Sequence, residues 1–97
     1  MSTTPDYGPF LRAIADPARR RILEVLKDKT RNGAAKNGLC AGDIEERVKL
    51  SQPTVSHHMK ILEKAGLVEV KKEGTWRHYH RNEKLIRLMV QALKTHI

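Results

Sequence analysis

Between residues 51 and 66 the sequence carries Gln52, Thr54, Ser56, His57 and Lys60, a set of short or planar hydrogen-bonding side chains around a single cation. If the stretch is helical, Val55, Met59, Leu62 and Ala65 form its inner face and the polar set is left outside. Idle solvated helix faces are usually filled by Glu and Lys. Gln can pair bidentately with adenine, and Ser and Thr can bond a base edge or a phosphate, so this face has the chemistry to read DNA.

Other groups with reactive chemistry are sparse. Cys40 is the single cysteine and stands three residues before Asp43, while His78 and His80 share one side of a strand. A cysteine and a histidine can imitate a nucleophile and base. No glycine-rich phosphate loop, paired carboxylates or oxyanion arrangement accompanies them, which argues against an enzyme, and no cofactor is expected. Zinc needs about four donors, and the histidine pair has no evident third partner, so no metal site is expected. Cys40 reads as a small apolar residue or an inert cap neighbour, and His58 as a structural histidine pointing toward the turn.

The elements that must hold these residues follow from periodicity and caps. Residues 5–15 predict a first helix with Tyr7, Phe10, Leu11 and Ile14 on one side, weakened in its first turn by Gly8 and Pro9. Asp16 and Pro17 read as a cap and first helical position, opening a second helix to about Lys27 with Ala18, Ile22, Val25 and Leu26 buried. Its Arg19, Arg20 and Arg21 read as a solvated basic face. Residues 28–38, with Asn32, Gly33, Asn37 and Gly38 and no apolar period, predict a flexible loop. A short third helix over 40–49 stacks Ile44 on Val48, and Leu50 seals the bend after it. The fourth helix starts at Ser51, whose hydroxyl can cap, with Pro53 in the first turn, and Gly66 stops it.

After Gly66 the period changes to that of a strand. Val68 and Val70 share one face of 67–72, Glu73 and Gly74 turn the chain, and 76–81 returns as the second strand of a hairpin. Asn82 caps a last helix to about Thr95, whose Leu85, Ile86, Leu88, Met89, Val90, Ala92 and Leu93 cover more than one narrow stripe. Such a helix must be covered from two directions. A homodimer seam of Leu85, Leu88, Met89, Ala92 and Leu93 with Tyr7, Phe10, Leu11 and Ile14 is the economical solution, and a locally wide monomer core its rival. The expected fold is mainly α with a β-hairpin wing, in the order α-α-α-α-β-β-α: a winged helix-turn-helix.

Composition agrees with that class. The chain has 97 residues, 39% apolar and 31% charged, which reads as a single domain over 1–97. A domain this small gains from oligomerisation, and one cysteine allows no internal disulfide. Lys and Arg outnumber Asp and Glu by 19 to 11, a net charge of +8 that favours a polyanion as partner. Apolar runs fall far short of the roughly 20 residues of a membrane span. Residues 1–6 lack the basic and apolar segments of a secretory signal, so a cytoplasmic location is expected.

The stretch SQPTVSHHMKILEKAGLV at 51–68 closely resembles the recognition helix and following strand of the ArsR/SmtB family of winged-helix transcriptional repressors. ADPARRRIL at 15–23 and the wing EGTW at 73–76, with Tyr79 behind it, extend the resemblance over roughly 10–93. It implies a homodimer on a palindromic double-stranded DNA operator. It places base contacts on Gln52, Thr54, Ser56 and His57, and Lys60 nearer a phosphate, with Lys71, Lys72 and Arg77 as wing contacts. His57 stands where the family often has Arg; a neutral imidazole offers one donor and one acceptor, so the preferred bases differ from those an arginine fork selects.

The family's effector sites are not matched. Arsenic-responsive relatives carry two close cysteines where this chain has CAGD at 40–43, with Gly42 in the second thiol's place. The site on the last helices needs Asp and His near the start, then His and Glu; here Glu83 and His96 lack those companions. The resemblance therefore implies a repressor without a standard metal site, governed by another effector, a partner protein, or neither. The alternatives are a redox or atypical metal response through Cys40, and a winged helix that binds only RNA or protein.

Overall fold

The computed structural model describes residues 6–31 and 38–97. Its first helix, α1 (Gly8–Ala15), begins at the glycine expected to weaken it. The Gly8 N–H donates to Asp6 Oδ1 at 3.0 Å, and Pro9 occupies a first-turn position whose missing N–H costs nothing. The expected start at Pro5 lies outside the described residues. Asp16 takes an extended backbone before Pro17 and ends α1. As expected, its carboxylate caps α2 (Pro17–Arg31), accepting the N–H groups of Ala18 at 2.7 Å and Arg19 at 3.2 Å. That helix runs four residues past Lys27. Loss of the apolar period does not end the helix, because polar residues without Gly or Pro propagate one readily. The rest of the expected loop, 32–37, lies outside the described residues.

Strand β1 (Leu39–Cys40) leads directly into α3 (Ala41–Val48). Lys49 ends α3 in the left-handed region, φ 57°, with its N–H on the Glu45 carbonyl at 2.8 Å. Leu50 and Ser51 then turn the chain into α4 (Gln52–Lys64), completing a helix-turn-helix. Ser51 precedes that helix but its hydroxyl does not cap the backbone; it donates to Thr54 Oγ1 at 2.9 Å. The expected cap was thus captured by the neighbouring hydroxyl. At the other end Gly66, φ 79°, donates to Glu63 O at 2.9 Å and Leu67 N–H reaches Leu62 O at 3.0 Å, the paired bonds of a Schellman stop.

The hairpin pairs β2 (Val68–Glu73) with β3 (Trp76–Arg81), from Val68 opposite Arg81 to Glu73 opposite Trp76. β1 adds to the free side of β3, Leu39 opposite Tyr79, so the sheet order is β1-β3-β2. The sequence reading missed β1, because two residues carry no visible period. Ile22 and Leu26 of α2, Ile44 of α3, Val55, Met59 and Leu62 of α4, and Leu67 form the deepest core. The last helix, α5 (Glu83–His96), opens on Asn82, whose Oδ1 accepts the Leu85 N–H at 3.1 Å. Arg81 anchors this end: Nη1 donates to Leu23 O at 3.1 Å and Nη2 to Glu83 Oε1 at 3.1 Å. Leu85, Ile86, Met89 and Leu93 pack against the core, while Leu88 and Val90 face outward. Among the described residues no helix is long and apolar enough to cross a membrane.

Leu62 joins α4 to this core with no solvent exposure. Leu62→Ala is expected to lower unfolding stability by about 2–5 kcal/mol, measured as a shift in the urea midpoint followed by circular dichroism.

Candidate nucleic-acid interface

One face of α4 is committed to the core and the other is left free. Val55, Met59 and Leu62 are buried and Ala65 half-buried, as the helical period requires. Gln52, Ser56, His57 and Lys60 are exposed, and Thr54 is half-buried. Gln52, Ser56 and Lys60 make no side-chain hydrogen bond or ion pair with another described residue, so their polar atoms are available to a ligand. Thr54 is available only in part, since its hydroxyl accepts from Ser51.

The two adjacent histidines part company because consecutive helical residues lie about 100° apart. Their rings stand 5.6 Å apart at a tilt of 53°. His57 faces solvent. His58 turns inward, 8% exposed, with Nδ1 3.2 Å from Arg19 Nη1. Arginine only donates, so Nδ1 accepts, the ring is neutral and its proton sits on Nε2. Burial holds the His58 pKa below the imidazole's ordinary value; the Asp16 charge opposes this, and Arg19 and His57 reinforce it.

Arg19 has further bonds. Nε donates to Ala13 O at 2.7 Å and Nη2 to Arg12 O at 3.1 Å, while Arg20 Nη1 reaches Ile14 O at 2.6 Å and Ala15 O at 3.1 Å. The two arginines therefore close the open carbonyls at the end of α1. This corrects the reading of residues 19–21 as a solvated basic face at Arg19, which is half-buried; Arg20 and Arg21 are exposed as expected, Arg21 paired with Glu24 at 3.4 Å. The missed signal was the single residue between α1 and α2, which leaves helix carbonyls in reach of the next turn's cations. At Asp16 desolvation raises the carboxyl pKa, but the Arg19 and Ala18 N–H groups and the charges of His58 and Arg19 outweigh it, and the net shift is downward.

The wing supplies a second cationic surface. Lys71, Lys72 and Arg77 are exposed, and Lys72 lies opposite Arg77, so those two share one face of the hairpin. Trp76 at the tip is 64% exposed, an apolar wing residue that the sequence reading did not single out.

The remaining sequence candidates do not converge. Cys40 is half-buried, its Sγ donating to Asp43 Oδ2 at 3.1 Å, and it lies opposite His78 in the sheet. His80 Nε2 is 3.9 Å from Glu69 Oε2, and Glu83 is held by Arg81 at 2.7 Å. Among the described residues no three His, Cys, Asp or Glu side chains gather as a metal-binding group. Of the seam candidates, Phe10 and Ala92 are buried within this chain, Tyr7, Ile14, Leu85, Met89 and Leu93 are half-buried, and Leu11 and Leu88 are 40% and 50% exposed.

Comparison with known proteins places this architecture. A helix-turn-helix domain family matches residues 14–71. An uncharacterised HTH-type transcriptional regulator of Methanocaldococcus jannaschii is 42% identical over 71 residues, 73% of this chain and 72% of that protein. An arsenical resistance operon repressor of Staphylococcus xylosus is 36% identical over 88 residues, covering 91% of this chain and 77% of that one. A solved ArsR family transcriptional regulator superposes with a TM-score of 0.75 at 21% identity over 98% of this chain and 90% of its own, a likeness of fold.

The inward turn of His58 sets a pH dependence. Because its pKa is depressed on folding, the unfolded chain binds more protons once pH falls to the ordinary value of 6.5. Its contribution is intact above that value and lost as pH drops from it toward the folded pKa. Asp16, also depressed, loses its contribution in a separate window, as pH falls through and below the ordinary 3.8. The urea midpoint of the wild type is expected to fall from about pH 7 to about pH 5, and His58→Gln should flatten that slope.

Proposed function

The chain belongs to the ArsR/SmtB-like superfamily of DNA-binding winged helix-turn-helix transcriptional regulators, and from that premise we propose that it is a homodimeric repressor of an inverted-repeat operator. It is a regulator rather than an enzyme. The observation that carries the proposal is the outward row of Gln52, Ser56, His57 and Lys60 on a helix whose opposite face is locked in the core. Gln52, Thr54, Ser56 and His57 read base edges in the major groove, and Lys60 neutralises a phosphate. Lys71, Lys72 and Arg77 on the wing hold the flanking backbone.

Two copies of α4 must be spaced to meet successive major grooves, which a twofold dimer provides at about 34–36 Å. The seam we propose runs through Leu88 and Leu11 and their half-buried neighbours on α5 and α1. A dimer seated on a promoter excludes other proteins from it, and the repressor named for the Staphylococcus xylosus relative supports this sign of control. The regulator works in the cytoplasm, where double-stranded DNA is accessible. Gly42 stands in the second thiol's place and Glu83 and His96 lack companion ligands on α5, so the signal in this reading is not a metal held at a family site.

Selection from a random duplex pool, followed by anisotropy titration, tests the reading. An inverted repeat is the expected product. Ser56→Ala and His57→Ala should cost about 1–3 kcal/mol on the selected duplex and less on a scrambled one. Lys71→Ala and Arg77→Ala should weaken both duplexes and flatten the salt dependence. Selection that enriches no duplex, with RNA retained instead, overturns the operator reading. In sedimentation the wild type should run at twice the chain mass and Leu88→Glu should move toward monomer; a monomeric wild type removes the seam. Arsenite and zinc should leave the duplex bound, and Cys40→Ser should bind it unchanged.

A further inference from the structure

Beside the reading helix, α1 and α4 leave a cleft of about 480 Å³ lined by Pro9, Arg12, Arg19, Ile61, Lys64 and Ala65. That size suits a small organic molecule. Its floor is apolar, from Pro9, Ile61 and Ala65, and every charged group on its lining is a cation. Neither Arg12 nor Lys64 pairs with an acidic side chain among the described residues. Each lies in the last turn of its helix, where the helix dipole favours a cation. The dipole explains each cation separately, but not their convergence with Arg19 around one apolar floor. A second cleft, along α5, also carries cations, Lys27, Arg87 and Lys94, but its wall includes an acid, Glu83, which pairs with Arg81.

We propose that the cleft between α1 and α4 binds a small carboxylate with an apolar body, and that this ligand weakens DNA binding through Arg19. The carboxylate lies among the three cations and the apolar body covers Pro9, Ile61 and Ala65. Inorganic phosphate has the charge without the body, and an alkylamine the body with the wrong charge. Arg19 couples the cleft to the reading helix, because the guanidinium that lines it also donates to His58 Nδ1 at 3.2 Å. A carboxylate that draws Nη1 away removes the only hydrogen bond of the His58 ring among the described residues, one position from His57. The cost of leaving that buried acceptor unpaired appears as lost preference for the reading conformation. By linkage, DNA must weaken the ligand by the same factor.

The regulatory half rests on the operator reading above, whereas ligand binding is measured without DNA. Isothermal titration of the wild-type chain with octanoate, octylamine and inorganic phosphate is the first arm. Octanoate should bind and the other two should not. Arg12→Gln and Lys64→Gln, both on the surface, should each weaken octanoate about tenfold while keeping the wild-type thermal midpoint. No octanoate binding, equal binding of octylamine, or unchanged affinity in both variants overturns the site. Sedimentation of Ile61→Glu is the second arm: unchanged mass is expected, and a shift from dimer to monomer would assign the cleft to a second copy of the chain and overturn the proposal. The third arm repeats anisotropy on the selected duplex with saturating octanoate. Weaker duplex binding in the wild type that disappears in Lys64→Gln is expected; an unchanged duplex affinity overturns the coupling. If the chain enriches no duplex, the operator reading and the coupling fail together, and the titration alone decides the site.

Discussion

The guanidinium of Arg19 ties together three helices that the rest of the molecule is built around. It rises from the first turn of α2, takes the Ala13 and Arg12 carbonyls at the end of α1 at 2.7 and 3.1 Å, and reaches His58 of α4 at 3.2 Å. Its charge cannot be titrated away, so in the ligand-free chain all three acceptors stay paired across the pH range in which it is folded. The constraint on α4 is rotational. With His58 held inward, the roughly 100° step between neighbours places His57 outward, and the helical repeat carries Gln52, Ser56 and Lys60 to the same open side. Core packing of Val55, Met59 and Leu62 alone would leave a looser choice of rotation, since apolar contacts have no direction. The polar bond supplies the direction.

The wing inherits its position from the same helix through a short connection. Gly66 closes α4 with two backbone bonds and delivers the chain, two residues later, into β2. Only glycine adopts its φ of 79° without strain, and a Cβ there would stand 2.8 Å from Leu85 Cδ2, so the stop also allows α5 to approach. β3 is the central strand, with β1 on one side and β2 on the other, and Tyr79 faces the core from it. The cations of the wing are therefore carried on a paired strand anchored at Arg81, rather than on a free loop. In the operator reading proposed above, α4 and the wing would meet one duplex without ordering either on contact, which spares the entropy that loop ordering costs.

What the sequence made legible was whatever repeats along the chain or punctuates it. The apolar period of α4, the alternation of the hairpin, Gly66 as a stop and Asn82 as a cap all act within a few residues of themselves, and each was readable. The inward and outward split of His57 and His58 was readable for the same reason. The two residues of β1 have no period, and their pairing with β3 is a contact across almost forty positions. The extension of α2 to Arg31 was hidden because burial and helix were read from one signal. The bonds of Arg19 and Arg20 to the carbonyls of α1 were hidden because they cross from one helix to the next and leave no period in the sequence. The cleft was invisible altogether, since Arg12, Arg19 and Lys64 meet only once three helices are assembled.

α5 poses the opposite case, an element plain in sequence whose apolar arc is wider than the face it buries. It turns Leu85, Met89 and Leu93 to the core, yet Leu88 and Val90 on its flanks stay half-exposed and Ile97 at its end is 90% exposed. Scattered exposed leucines are ordinary on a protein surface, but here they border a single helix that already buries its middle stripe. A helix that needed only one chain would place polar side chains at those flanks, as its own Lys84, Arg87, Gln91 and Lys94 do on the remaining side. The homodimer proposed above accounts for the width of the apolar arc with two contacts, one with the core and one with a surface of similar character. Leu11, exposed on α1, is such a surface, and in a twofold arrangement each copy would present both.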